Sequence, residues 1–439
     1  MTFRRLSLRA VKRSLSNLTP GAVTSIGITL AKNLLQLAIA VVLARLLAPS
    51  GYGDYAFAMS LMSMLFVFAA FGLPGLLMRE VAASDSRGEP GRIRALVRQG
   101  DRITFVSFGA VMAAGLAASY LWPGLHGQFR LTLMLAFVYL GCNGFAQLRG
   151  AALKGARRVV VGQLGVLIIQ PLLILASALL LPYFFGVTLT PPLALGLTVA
   201  SAAVALVFNM LALRRSVGSP MNGPIAGKGM DKWFMSALPF AAIGGLYLLN
   251  AHTDIIMLGM MRNSKSVGLY KVAAGGAALL PLVFSGVNQV LAPTMSRLYT
   301  EKRFGEMKRA VRTGAAVSLV AAAPAFLIYA VWGKDLIDWV FGEAYREAWT
   351  PLLILGVGQM VNVAMGAVGL VLNMSGHERD TLWGLGISAG LNIALNALLI
   401  PRFGIVGAAS ASSVAMALWN VFLAYRVRQR LGFWPTALW

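Results

Sequence analysis

Residues 61–70 read Leu61-Met-Ser-Met-Leu-Phe-Val-Phe-Ala-Ala70, and residues 391–400 read Leu391-Asn-Ile-Ala-Leu-Asn-Ala-Leu-Leu-Ile400. Neither alternates apolar with polar residues at period two, as the strands of a membrane barrel do. In hydrocarbon every backbone N–H and C=O must be satisfied within the protein, which leaves helices or closed barrels as spanning structures. These stretches therefore read as transmembrane helices. A bilayer core of about 30 Å needs about 20 apolar residues per helix. Working outward with that ruler gives twelve spans: 22–47, 53–78, 103–122, 130–149, 159–182, 190–213, 234–260, 267–295, 311–332, 349–374, 381–400 and 404–425. The whole composition agrees. Of 439 residues 58% are hydrophobic and 12% charged, with a mean hydropathy of +0.73, whereas a soluble domain spends about a quarter of its residues on charge. The expected fold class is an all-α integral membrane protein of about twelve transmembrane helices.

The 38 Lys and Arg against 15 Asp and Glu give a net charge of +23. Such a balance raises nucleic acid or anionic lipid as partners, or else a topological role, because basic residues near span ends are retained in the cytoplasm. With the N-terminus inside, 29 of the 38 fall on the inner face. They include Arg4 to Arg13, Arg87 to Arg102, Arg149 to Arg158, Arg214 to Lys232, Arg297 to Arg312 and Arg426 to Arg430. Both termini are then cytoplasmic, anionic lipids at the cytoplasmic face are the expected contact, and no nucleic acid is needed. Residues 1–16 read as a cationic amphipathic lead-in to an uncleaved first helix.

Short stretches repeat at an offset close to 215. Gly51-Tyr-Gly-Asp-Tyr-Ala-Phe-Ala58 matches Ser266-Val-Gly-Leu-Tyr-Lys-Val-Ala273, Val97-Arg-Gln-Gly100 matches Val311-Arg-Thr-Gly314, and Pro182-Tyr-Phe184 matches Pro401-Arg-Phe403. The pattern predicts a duplication: a six-helix lobe over 1–213, a Gly- and Pro-rich cytoplasmic linker over 214–233 and a second six-helix lobe over 234–439.

The turns Gly51-Tyr-Gly-Asp-Tyr55 and Val267-Gly-Leu-Tyr270 resemble those of bacterial polysaccharide-biosynthesis flippases. So do Phe71-Gly-Leu-Pro74 with Arg79-Glu80, Thr253-Asp-Ile-Ile-Met-Leu-Gly259, and Ile400-Pro-Arg-Phe-Gly-Ile-Val-Gly-Ala-Ala409. That family lies in the multidrug/oligosaccharidyl-lipid/polysaccharide exporter superfamily, and the resemblance covers essentially the whole chain. It implies two lobes around a central cavity, alternating access, and residence in the bacterial inner membrane. It also implies a polyprenyl-pyrophosphate-linked oligosaccharide as cargo, an intermediate for O-antigen, capsule or exopolysaccharide, with a glycan polymerase or glycosyltransferases as partner enzymes. A cation-coupled multidrug exporter of the same superfamily and a non-transporting scaffold of a glycan synthase complex are the rival readings.

Ionisable groups at bilayer depth mark candidate sites. Lys32 lies about ten residues into the first span, or about 15 Å at 1.5 Å per residue, with Asn33 adjacent and Gln36 one turn on. It reads either as a contact for a pyrophosphate or acidic sugar or as an interhelical bond. Asp254 and Lys271 stand at matching depth on either side of a turn near Asn263, which predicts an ion pair. The pair would serve as structural glue or as a switch in which an anionic headgroup competes for Lys271. Alternatively Asp254 is a coupling site for H+ or Na+. Arg45 and Asp54 straddle the first hairpin and pair by the same argument, mostly as structure. Asn392 and Asn396, at helical spacing, read as interhelical contacts.

Catalysis has no visible footing. There is no Gly-x-x-x-x-Gly-Lys-Ser/Thr loop, no nucleophile and base constellation, a lone Cys142, and three histidines (His126, His252, His377) too far apart for a local metal motif. The expectation is a non-enzyme with no cofactor.

Overall fold

The structure, a computed structural model, describes residues 20–121, 127–217 and 230–437. The amphipathic lead-in and most of the expected linker lie outside these residues. In chain order the helices are α1 (Pro20–Ala70), α2 (Leu73–Asp85), α3 (Pro90–Leu121), α4 (Gly127–Gly155) and α5 (Val159–Leu164). A π-helical turn (Gly165–Ile169) leads into α6 (Gln170–Phe185), then α7 (Pro191–Val217), α8 (Met230–Met261), α9 (Ser264–Ala277), α10 (Leu282–Thr300) and α11 (Phe304–Phe341). After a 3-10 turn (Glu343–Ala348) come α12 (Trp349–Met365), α13 (Val368–Met374) and α14 (Glu378–Leu431). No strand occurs among the described residues.

Eight of these helical stretches are individually long and apolar enough to cross a bilayer, and the bent pair α9 and α10 makes a ninth. Two of the eight are double. α1 breaks at Ala48 (φ 55°, ψ 171°) and α14 at Gly404 (φ 54°, ψ −127°). With α8 as the seventh span, the described residues form the twelve spans that the apolar runs predict.

Local chemistry explains the breaks. Pro49 has no N–H to donate and its ring disfavours helical geometry at the residue before it, in keeping with the extended ψ of Ala48; its positive φ is a strain of roughly 1–3 kcal/mol for a residue with a Cβ. Gly404 takes a comparable turn without that cost. The Ser264 end of α9 is instead capped: the Asn263 side chain accepts from the Ser266 N–H at 2.9 Å, supplying one of the donors a helix start leaves open. Between α9 and α10 the path bends by 51°, ending at Pro281, which precedes α10.

Contacts divide the chain into two compact units, one ending at His252 and the other beginning at Thr253. The division falls inside α8. Gly245 in that helix lies against Val67 of α1, within the first unit. That unit has a packed core at one end, built from Leu77, Val81, Val97, Leu148, Leu153 and Leu213. Its helices approach closely at small residues, as membrane helices do: a Cβ on Gly150 would lie 2.7 Å from the Gly162 carbonyl, and Asn209 donates to the Ala146 carbonyl at 2.9 Å. The second unit has its own core around Met295, Met307, Val311, Val371, Leu423 and Val427. Large apolar side chains such as Phe105, Val320, Trp339 and Leu398 stand more than two-thirds exposed, the pattern of a surface built to meet lipid rather than water.

Candidate functional site

Four spans of the second unit converge on one carboxylate. α8 carries Asp254, α9 carries Tyr270, and α14 supplies Asn392 and Asn396 before its break at Gly404 and Ser412 after it. The break makes the site possible, since it folds one continuous stretch of chain back so that both of its halves reach Asp254. Asp254 is 6% exposed and Asn396 is fully buried.

Every hydrogen bond to the Asp254 carboxylate comes from a neutral donor. Asn396 Nδ2 donates to Oδ1 at 2.7 Å, Tyr270 OH donates to Oδ2 at 2.6 Å, and Ser412 Oγ donates to Oδ2 at 2.5 Å. A second layer fixes those donors. Asn396 Nδ2 also donates to Asn392 Oδ1 at 3.0 Å, and Asn392 Nδ2 donates to Ser412 Oγ at 3.0 Å. Bonds to an ionised acceptor are about twice as strong as neutral ones, so three of them offset much of the cost of burying the charge, but none of them cancels it. Asn396 Oδ1 is buried without a partner. The cluster is thus one buried acid held by three neutral donors, the Asn396 amide and the Tyr270 and Ser412 hydroxyls.

This geometry corrects the expected ion pair between Asp254 and Lys271. Consecutive helical residues point about 100° apart, and the register of α9 turns Tyr270, not Lys271, to the carboxylate. Lys271 is half-buried and makes no ion pair with Asp254. The switch in which a headgroup competes with Asp254 for Lys271 loses its basis. Matching depth along two helices was sufficient to bring the right turn to Asp254, but depth carries no information about rotation around the axis.

The other expected residues lie in the first unit on α1. Lys32 and Asn33 are half-buried and Gln36 is exposed. Arg45 is exposed, Asp54 is half-buried on the other side of the Ala48 break, and both are engaged in polar contacts.

The internal repeat has a structural counterpart. Tyr55, which the offset of 215 equates with Tyr270, is buried and bonds to Thr198 of α7 at 3.2 Å. In each unit, then, a tyrosine of the second span meets a hydroxyl of the sixth. The second unit adds the carboxylate. Sequence reading singled out Asp254 but missed Tyr270 and Ser412 as its partners, and the repeated tyrosine was the available signal.

Together these features define a multi-pass, all-helical membrane protein with the fold of transporters of the multidrug/oligosaccharidyl-lipid/polysaccharide superfamily. A multidrug resistance MATE family transporter in its inward-facing conformation superimposes with a TM-score of 0.76 at 12% identity, covering 91% of this chain and 94% of that one. The lipid II flippase MurJ in an inward closed conformation gives 0.71 at 13% identity, covering 92% and 87%. The chain belongs to the polysaccharide biosynthesis protein family, whose model matches residues 18–299; the MatE model matches residues 245–398. Among relatives in sequence, the probable low-salt glycan biosynthesis flippase Agl15 of Haloferax volcanii is 29% identical over 42% of this chain and 39% of its own length. The probable flippase AglR of the same organism is 30% identical over 38% and 36%. The chain therefore spans less than two fifths of these two relatives. The capsular polysaccharide biosynthesis protein CapF of Staphylococcus aureus is 21% identical over 44% and 49%.

Proposed function

We propose that this protein moves a polyprenyl-pyrophosphate-linked oligosaccharide from the inner to the outer leaflet of a bacterial inner membrane, by alternating access, for polysaccharide biosynthesis. The observation that carries this reading is the family match over residues 18–299, supported by the likeness to the probable low-salt glycan biosynthesis flippase Agl15 and the probable flippase AglR of Haloferax volcanii. The physical task is to carry a polar headgroup past hydrocarbon while its lipid tail stays in the bilayer. In this reading Lys32, Asn33, Gln36 and Lys271 supply cationic and amide contacts for the pyrophosphate and sugar. Both termini face the cytoplasm, where anionic lipid meets the basic loops, and a glycan polymerase or glycosyltransferases supply and consume the cargo.

Two negative charges moving outward gain roughly 4–5 kcal/mol per 100 mV, at 2.3 per charge, so membrane potential biases the direction. Asp254 is the site for a coupling ion, H+ or Na+, because its buried carboxylate has only neutral partners.

The test is leaflet transfer of a fluorescent polyprenyl-pyrophosphate glycan in proteoliposomes, comparing the unaltered protein with Lys32→Ala and Lys271→Ala. The expected result is transfer that falls at least tenfold in each variant. Undiminished transfer with both lysines removed rejects the role of these charges, and absence of transfer by the unaltered protein under an imposed potential rejects the flippase reading. The MatE match over 245–398 favours one second reading, a cation-coupled multidrug exporter. Efflux of a cationic dye without glycan transfer would select it.

A further inference from the structure

The first unit carries a cleft of about 490 Å³ that none of the candidate site residues lines. It lies between α3 and α4 at the end that the basic residues assign to the cytoplasm. From α3 it is lined by Arg98, Asp101 and Arg102, and one turn further by Phe105 and Val106. These positions recur every three to four residues and so share one helix face. From α4 come Phe145 and Arg149, again four residues apart.

The charges are arranged in order of depth. Arg149 is 13% exposed and Asp101 23%, and they pair at 3.1 Å, with the guanidinium 5.6 Å above the Phe145 ring. The cleft lining sets three arginines, Arg98, Arg102 and Arg149, against the single acid Asp101 and so carries a net positive charge. Arg102 is exposed. The third apolar run begins at residue 103, so these guanidiniums sit at headgroup level. Phe105 and Val106, 72% and 69% exposed, sit one turn deeper, at acyl-chain level. A soluble anion would use the arginines and leave the apolar floor wet. A zwitterionic lipid would use the floor and bring no net charge to the rim. An anionic phospholipid uses both.

We propose that the cleft between α3 and α4 binds the phosphate headgroup and upper acyl chain of an anionic phospholipid of the cytoplasmic leaflet. Arg98 and Arg102 meet the phosphate, Phe105 and Val106 meet the chain, and the Asp101–Arg149 pair holds the two helices at the spacing the headgroup needs. The site stands apart from any cargo, so it does not depend on the transport reading.

The test is binding of phosphatidylglycerol and of phosphatidylcholine with matched acyl chains to the purified full chain, read by native mass spectrometry. At about 1 kcal/mol per basic residue near the lipid surface, Arg98→Gln with Arg102→Gln is expected to weaken phosphatidylglycerol binding about 30-fold and to leave phosphatidylcholine unchanged. Arg214→Gln with Arg215→Gln removes the same charge at the end of α7 and is expected to change neither. Arg98→Lys with Arg102→Lys is expected to restore most of the phosphatidylglycerol binding, and its failure to do so would overturn the proposal by assigning the loss to altered folding. Equal loss in the two Gln pairs would overturn it in favour of diffuse surface charge. Geranylgeranyl pyrophosphate displacing phosphatidylglycerol through the same arginines would overturn it by making the cleft a site for pyrophosphate lipids.

Discussion

Asn396 donates from Nδ2 to Asp254 Oδ1 at 2.7 Å across 142 residues of sequence. The same amide donates to Asn392, so both of its hydrogens are committed and its orientation is fixed. Replacing Asp254 separates charge from shape. Asp254→Asn removes the buried charge and is expected to keep or raise the thermal midpoint in detergent while abolishing any Na+ or pH dependence of transport. Asp254→Ala strands the three donors and is expected to lower stability by about 2–4 kcal/mol. Thermal unfolding of the two variants side by side checks both outcomes.

The two repeat-related tyrosines give a graded comparison. Tyr270→Phe deletes a bond to a carboxylate, expected to cost about 1.5–3 kcal/mol, whereas Tyr55→Phe deletes a neutral bond to Thr198 and is expected to cost about 1 kcal/mol. Equal midpoints for the two variants would contradict this ranking.

Close helix approach predicts a position-specific effect of alanine. Gly150→Ala places a methyl 2.7 Å from the Gly162 carbonyl, a backbone atom that cannot turn aside, and is expected to destabilise by about 1–3 kcal/mol. Gly109→Ala meets nothing within 4 Å and is expected to be neutral or to stabilise by about 0.5–1 kcal/mol through its better helix propensity. Unfolding midpoints of the purified variants distinguish the two.

At the end of α14, Asp380 is largely buried and pairs with Arg426 and, at 3.1 Å, with Arg430. It joins the first turn of that long helix to its last two. Asp380→Asn leaves two guanidiniums without their anion, and the expected cost is about 1–3 kcal/mol, limited by the partial exposure of both arginines. The loss should shrink in high salt, which denaturation at 0.05 and 1 M NaCl measures.

Much of this architecture is legible in one dimension. Each span must be about as long as the hydrocarbon is thick, so apolar run length alone separates 381–400 from 404–425, the two halves into which α14 is divided by its break at Gly404. The breaks themselves, at Ala48 before Pro49 and at Gly404, are seen in the structure. The candidate site was legible only in part. Asp254 is conspicuous as an acid in an apolar run, but Ser412 and Tyr270 are ordinary residues of their spans, and nothing local marks them as its partners. Lys32 is as conspicuous as Asp254, yet the structure shows it only as half-buried on α1.

What the sequence determined by itself is the class of protein, the number of spans and their internal repeat, since all three follow from length, hydropathy and offset along the chain. What the tertiary structure decided is azimuth. Depth places Tyr270 and Lys271 at nearly the same level, and only the packing of α9 against α8 and α14 determines which of the two faces Asp254. A rotation of about 100° per residue is all that separates an ion pair from a buried carboxylate ringed by neutral donors.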